Sequence, residues 1–120
     1  MKIKVAEATG PVLDWMVAKA EGHETTIDGY GCIIRRNNVI DRFEPSTDWG
    51  WGGPIIEREE IGIRRNAPCS KGCEWQGSPS ITAKGAGGKW GYGPTPLIAA
   101  MRCFVASKLG EEVDVPEELL

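Results

Sequence analysis

Tyr30, Trp49, Trp51, Trp75, Trp90 and Tyr92 are interleaved along this chain with Arg35, Arg36, Arg64, Arg65, Lys71, Lys84 and Lys89. Aromatic faces stack on planar bases or cations, and guanidinium groups clamp phosphates through paired donors, so the inventory suits a nucleotide-like ligand. The same rings can instead fill an irregular core, and both readings stand at this point. Arg102 favours the first, because a cation in an otherwise apolar stretch needs a carboxylate partner or an anionic ligand. Asp48 is the candidate partner. The ligand-contacting set drawn from this reasoning is Asp48, Trp49, Trp51, Tyr92, Thr95 and Arg102, with Arg35 and Arg36 on the anion.

Other chemistry has thinner support. Cys69 and Cys73 form half of a zinc-like pair, but a full ligand set needs Cys32, Cys103 or His23 from distant segments. Gly85-Ala86-Gly87-Gly88-Lys89 lacks the order of a P-loop, and no Gly-x-Ser-x-Gly elbow occurs. His23, the single histidine, lies in a polar stretch and reads as a solvated turn residue. Glu57, Arg58, Glu59 and Glu60 read as a solvated charged face; a metal-dependent hydrolase or nuclease would have to assemble Asp48, Glu57 and Glu59 around a divalent ion. No cofactor is expected, and enzymatic activity is the weaker alternative.

The elements that must position these residues are bounded by composition. A chain of 120 residues fits a single domain over 1–120 with one hydrophobic core. A formal net charge of -3 argues against general nucleic-acid binding or a grip on anionic membranes. No apolar run reaches the roughly 20 residues needed to span a bilayer, and the opening residues do not resemble a secretory signal, so a cytosolic setting with reduced thiols is expected. The 16 glycines and 8 prolines make a fifth of the chain and predict much irregular backbone.

Taken in order, Met1–Val5 alternates apolar and basic residues as a short strand or docked tail. Thr9, Pro11 and Gly22 bracket a helix over 11–21 with Leu13, Met16, Val17 and Ala20 on one packing face, widened by Val12 and Trp15. Residues 27–34 read as one irregular strand or hairpin, followed by a polar turn at 35–38 and a short segment at Val39-Ile40. Pro45–Pro54 holds two of the five tryptophans between two prolines and reads as a shaped loop feeding a strand at Ile55-Ile56. Ile61 and Ile63 alternate as a strand; Ser80–Lys84 is a further strand candidate, and Gly85–Gly93 a hairpin turn or mobile loop. Thr95-Pro96 opens a helix over 96–109, apolar on nearly every face, which is either central to the core or half of a dimer interface. Residues 110–120 form an acidic tail whose valines and leucines can dock.

Pro45-Ser46-Thr47-Asp48-Trp49, Gly52-Gly53-Pro54-Ile55-Ile56-Glu57-Arg58-Glu59 and Tyr92-Gly93-Pro94-Thr95-Pro96-Leu97-Ile98-Ala99-Ala100-Met101-Arg102-Cys103 resemble the phage NinX family, a domain of unknown function in tailed phages and prophages. Met1–Val5, Leu13-Asp14-Trp15 and Ala18–Gly22 fit the same resemblance, so the likeness covers nearly the whole chain. It implies an accessory phage product made in the host cytoplasm and dispensable for the virion. The Pro-Ser-Thr-Asp-Trp segment is also loosely similar to the threonine-, aspartate- and tryptophan-bearing part of phage proteins that sequester Thoeris signals.

The resulting expectation is an α+β domain: a small, mostly antiparallel sheet packed by an N-terminal and a C-terminal helix, dimeric. Its first functional reading is a non-enzymatic counter-defence protein that sequesters a nucleotide-derived immune signal. The second is an inhibitor that binds a host defence protein directly, through the C-terminal helix or the tryptophan loop.

Overall fold

A computed structural model of the chain describes residues 1–69, 71–80 and 88–119. Its centre is a C-terminal helix, Pro96–Leu109, with Leu97, Ala99, Ala100, Met101, Cys103, Phe104, Val105 and Ala106 all buried. The Thr95 hydroxyl accepts the Ile98 N–H at 3.1 Å and Pro96 occupies the first turn, so the start of this helix is fixed by the two residues that signal it in the sequence. An N-terminal helix, α1 (Gly10–Glu21), crosses against it and buries Leu13, Met16 and Val17. Gly22 ends α1 in the left-handed region at φ 81°, a conformation that favours glycine. Thr9 occupies the N-cap position of α1 but its hydroxyl accepts no capping hydrogen bond.

Among the described residues three small antiparallel sheets, instead of one, lie around these helices. Strand β1 (Lys2–Lys4) pairs with β8 (Glu112–Asp114), Ile3 opposite Val113. The segment expected as a docked tail is thus a strand in its middle, with Val113 and Val115 buried. Strands β2 (Glu24–Asp28), β3 (Gly31–Arg36) and β4 (Val39–Arg42) form a meander. Of the irregular strand or hairpin expected over 27–34, the hairpin is found, its two strands meeting at Gly29-Tyr30 where Gly31 takes φ 136°. Arg35 and Arg36 belong to β3, and the polar turn shrinks to Asn37-Asn38, both at positive φ as a tight hairpin requires. Strands β5 (Gly62–Arg65), β6 (Trp75–Ser78) and β7 (Gly91–Gly93) make the third sheet. The strand candidate at 80–84 lies, beyond Ser80, outside the described residues.

The largest departure from expectation is α2 (Trp49–Glu59), a helix where a loop and strand were anticipated. One proline, Pro54, and three glycines inside it argue against a helix on propensity. Tertiary contacts override that. Asp48 caps the helix by accepting the Gly50 N–H at 2.8 Å, Ile55 is buried, and Gly52 packs so closely that an added Cβ would lie 2.7 Å from the Pro45 carbonyl and 2.6 Å from Leu97. The charged end of α2 is not simply solvated. Arg58 reaches both carboxylate oxygens of Glu21 at 2.6 and 3.2 Å, and Lys108 reaches Glu59 at 3.2 Å, tying three helices together.

The last helix, Pro96–Leu109, is α3. It contacts α1, α2, β5, β6, β7 and β8, so its apolar surface is covered from within the chain and the alternative of a dimer interface on it is corrected. Among the described residues, no helix is long and apolar enough to cross a membrane.

Candidate functional site

An open cavity of about 550 Å³, within the size range of small-molecule sites, lies where α3 and β7 meet the β1–β8 pair. Val5, Gly91 and Ala106 supply apolar wall, while Trp90 and Tyr92 bring aromatic rings that are 53% and 43% exposed. The charged groups around it are Lys4, Arg102, Glu111 and Glu112.

Glycine sets this geometry. A Cβ on Gly91 would come within 2.4 Å of the Ala99 carbonyl oxygen and the Cys103 nitrogen, and one on Gly77 within 2.8 Å of the same carbonyl. The third sheet therefore lies with its backbone directly on α3. That contact explains why a run expected as a turn is strand β7. It also brings the Tyr92 carbonyl to Arg102.

Arg102 is 7% exposed. Its Nη1 donates to the Tyr92 carbonyl at 2.7 Å and its Nε to the Ala8 carbonyl at 3.1 Å. Among the described residues Nη2 has no hydrogen-bond partner, and no carboxylate approaches to ion-pair distance. Burial pulls the guanidinium pKa down, with no neighbouring charge to offset it. The expected pairing with Asp48 does not occur, because that carboxylate caps α2. Two carbonyls hold the Arg102 fork, Nη2 is left without a partner among the described residues, and Arg102 is part of the cavity lining.

The sequence-derived set divides accordingly. Tyr92 and Arg102 share the cavity; Thr95 and Asp48 cap helices; Trp49, Trp51, Arg35 and Arg36 do not line it. Trp51 stacks edge-on against Phe43 at 5.1 Å between ring centres, with the Arg36 guanidinium 5.1 Å above its ring and Asp41 3.0 Å from that guanidinium. Trp49 stands 54% exposed at the start of α2. Trp75 is half-buried under Arg65, and His23 is half-buried and edge-on to Phe43 at 5.4 Å, where a solvated turn residue was expected. Sequence reasoning left Lys4, Trp90, Glu111 and Glu112 out of the site; Trp90 was within reach from the aromatic inventory, while the other three needed the pairing of β1 with β8.

Cys69 and Cys73 are joined as a disulfide, correcting the expectation of free thiols at that pair; in this state they offer no thiolates to zinc. Cys32 and Cys103 are free and buried, and burial pushes both thiols up, Cys103 to about 11, so neither is a ready nucleophile at neutral pH. Asp48 sits at the start of α2 while Glu57 and Glu59 sit in its last turn, roughly 14 Å along the axis at about 1.5 Å per residue, so the three do not converge. Among the described residues no group of three or more His, Cys, Asp or Glu is placed to hold a metal.

No curated protein matches the chain. Residues 4–108 match the family described as Bacteriophage P22, NinX, a span that runs from the β1 residue on the cavity rim to the last turn of α3. The chain therefore belongs to the Bacteriophage P22, NinX family.

Proposed function

We propose that this phage-family protein is a non-enzymatic binding protein that captures a small planar anion of nucleotide type, acting against a host signal in the host cytoplasm. The single observation that carries the reading is the buried Arg102 guanidinium, held by two carbonyls and with Nη2 unpartnered among the described residues, in the lining of a cavity that Trp90 and Tyr92 also line. Leaving a buried cation without a counter-charge costs stability, and an anionic ligand supplies that charge. Exposed rings beside it offer faces for a base. Phage-family membership supports a role in the infected cell.

Thermal-shift and calorimetric titration against mononucleotides, cyclic mononucleotides, cyclic dinucleotides and cyclic ADP-ribose isomers tests the reading. A ligand present at about 100 times its Kd adds roughly 2.7 kcal/mol to stability, a readily measured rise in Tm. Absence of stabilisation across the whole panel overturns it.

A second reading, blockade of a host protein, draws on a different surface. Trp49, Val39 and Ile40 are each more than half exposed, and large exposed apolar side chains suit a protein contact. A stoichiometric host partner in pull-downs that is lost on Trp49→Ala supports this one; retention by that variant counts against it.

A further inference from the structure

The charges around the cavity limit what can enter it. In the β1–β8 pair Lys4 stands directly opposite Glu112. Lys89 Nζ lies 3.9 Å from Glu111 Oε1. Each rim carboxylate thus has a cation beside it, and the rim as a whole presents no excess positive charge. Arg102 differs, since it is buried and has no carboxylate at ion-pair distance among the described residues. Among the described residues the cavity therefore offers one uncompensated positive group in its lining and two carboxylates balanced by lysines at its mouth.

Resting on the capture reading above, we infer that the ligand class is a nucleoside bearing a single negative charge, a cyclic mononucleotide, with its phosphodiester on Arg102 Nη2, its base against Trp90 or Tyr92, and its rim-facing hydroxyl donating to Glu111 or Glu112. A cyclic phosphodiester of one nucleoside carries one negative charge at every pH near neutrality. A 5′-monophosphate carries nearly two, and a diphosphate more. An added charge finds no further uncompensated cation, because Lys4 and Lys89 already stand beside Glu112 and Glu111. The carboxylates in turn accept hydrogen bonds from sugar hydroxyls or exocyclic amines, groups that any nucleoside brings.

A charge ladder on one base tests this. Adenosine, 3′,5′-cyclic AMP, 5′-AMP and 5′-ADP are titrated into the full chain by calorimetry, and the series is repeated with cytidine and uridine and with a cyclic dinucleotide. The inference expects affinity to peak at the cyclic mononucleotide, at least about tenfold above both the nucleoside and the 5′-diphosphate. Affinity that climbs steadily with phosphate charge, or that peaks at the cyclic dinucleotide, overturns the single-charge inference while leaving capture intact. Binding by no member overturns both. Glu111→Gln and Glu112→Gln alter exposed side chains and spare the core; each is expected to weaken discrimination against 5′-AMP by about fivefold. A ratio unchanged by both variants overturns the role assigned to the rim.

Discussion

The Asp14 carboxylate accepts the backbone N–H of Ser46 at 2.9 Å, across 32 residues of sequence, with both residues buried. This bond fastens the Pro45–Asp48 turn, and so the start of α2, to the first helix. Burial foremost, with the charge of Glu44 adding to it against the hydrogen bonding of Ser46, pushes the Asp14 carboxyl up from 3.8 to about 6. The Ser46 hydroxyl is buried without a partner among the described residues.

A raised carboxyl means that the folded protein binds a proton more tightly than the unfolded chain does. The Asp14 contribution to stability is therefore greatest below about pH 4 and is lost as pH rises through about 6, a difference of roughly 3 kcal/mol at about 1.4 kcal/mol per unit. Asp14→Asn keeps an acceptor for Ser46 and removes the titration. Urea denaturation between pH 4.5 and 7.5 should show the variant more stable than the parent at the upper end and the gap closing at the lower. A gap that does not change with pH sinks the assignment. Asp14→Ala removes the titration too but leaves the Ser46 N–H unpaired, so it should lie about 1–3 kcal/mol below Asp14→Asn across the range.

Arg102→Met separates stability from capture. The substitution removes two hydrogen bonds to carbonyls but also removes a buried charge that has no counter-ion, so the net loss should stay within about 2 kcal/mol. Ligand stabilisation in the thermal-shift panel should vanish. Arg102→Lys keeps the charge and loses the fork, and should retain weakened binding. A Met variant that binds like the parent would remove the guanidinium from the site.

Gly91→Ala places a methyl carbon where the Ala99 carbonyl and the Cys103 nitrogen already stand at 2.4 Å. Backbone on both sides cannot yield by a rotamer change, so the sheet must lift off α3. The expected cost is about 3 kcal/mol or more by chemical denaturation, with collapse of the cavity. Gly53→Ala, with open space around its Cβ, is the control and should be close to neutral.

Arg58→Ala breaks the two-pronged contact with Glu21 and the bond to Glu59. Arg58 is about half exposed, so solvent screening limits the loss to about 1 kcal/mol. The difference between variant and parent should shrink between 50 mM and 1 M salt, a range over which surface charges are progressively screened. A loss that is independent of salt would assign the effect to the packing of the arginine stem on Phe104, 5.8 Å from the guanidinium.

The two long helices were legible because their boundaries are written in local chemistry: Thr95-Pro96 and Gly110 for α3, Pro11 and Gly22 for α1. The α2 segment was not, since its helix is imposed by the Asp48 cap and the contact of Gly52 with Leu97, a residue 45 positions away. The site was half legible. Arg102 stood out as a cation in an apolar helix, and Tyr92 as an aromatic between glycines, yet their neighbours Lys4 and Glu112 meet only through pairing of the first and last strands. Trp51 misled for the opposite reason, since Phe43 and Arg36 occupy its faces.

Because α3 carries the β5–β6–β7 sheet and is encoded in residues 96–109, the chain emerging from a ribosome can lay the β2–β3–β4 meander on α1 early but has nothing to dock that third sheet on until α3 appears. The faces of α1 and α2 that pack on α3 wait in solvent until the final fifth has been synthesised. A nascent product of this architecture completes its core late, and a message cut short before that point lacks the helix that supplies Arg102 and Ala106 to the cavity.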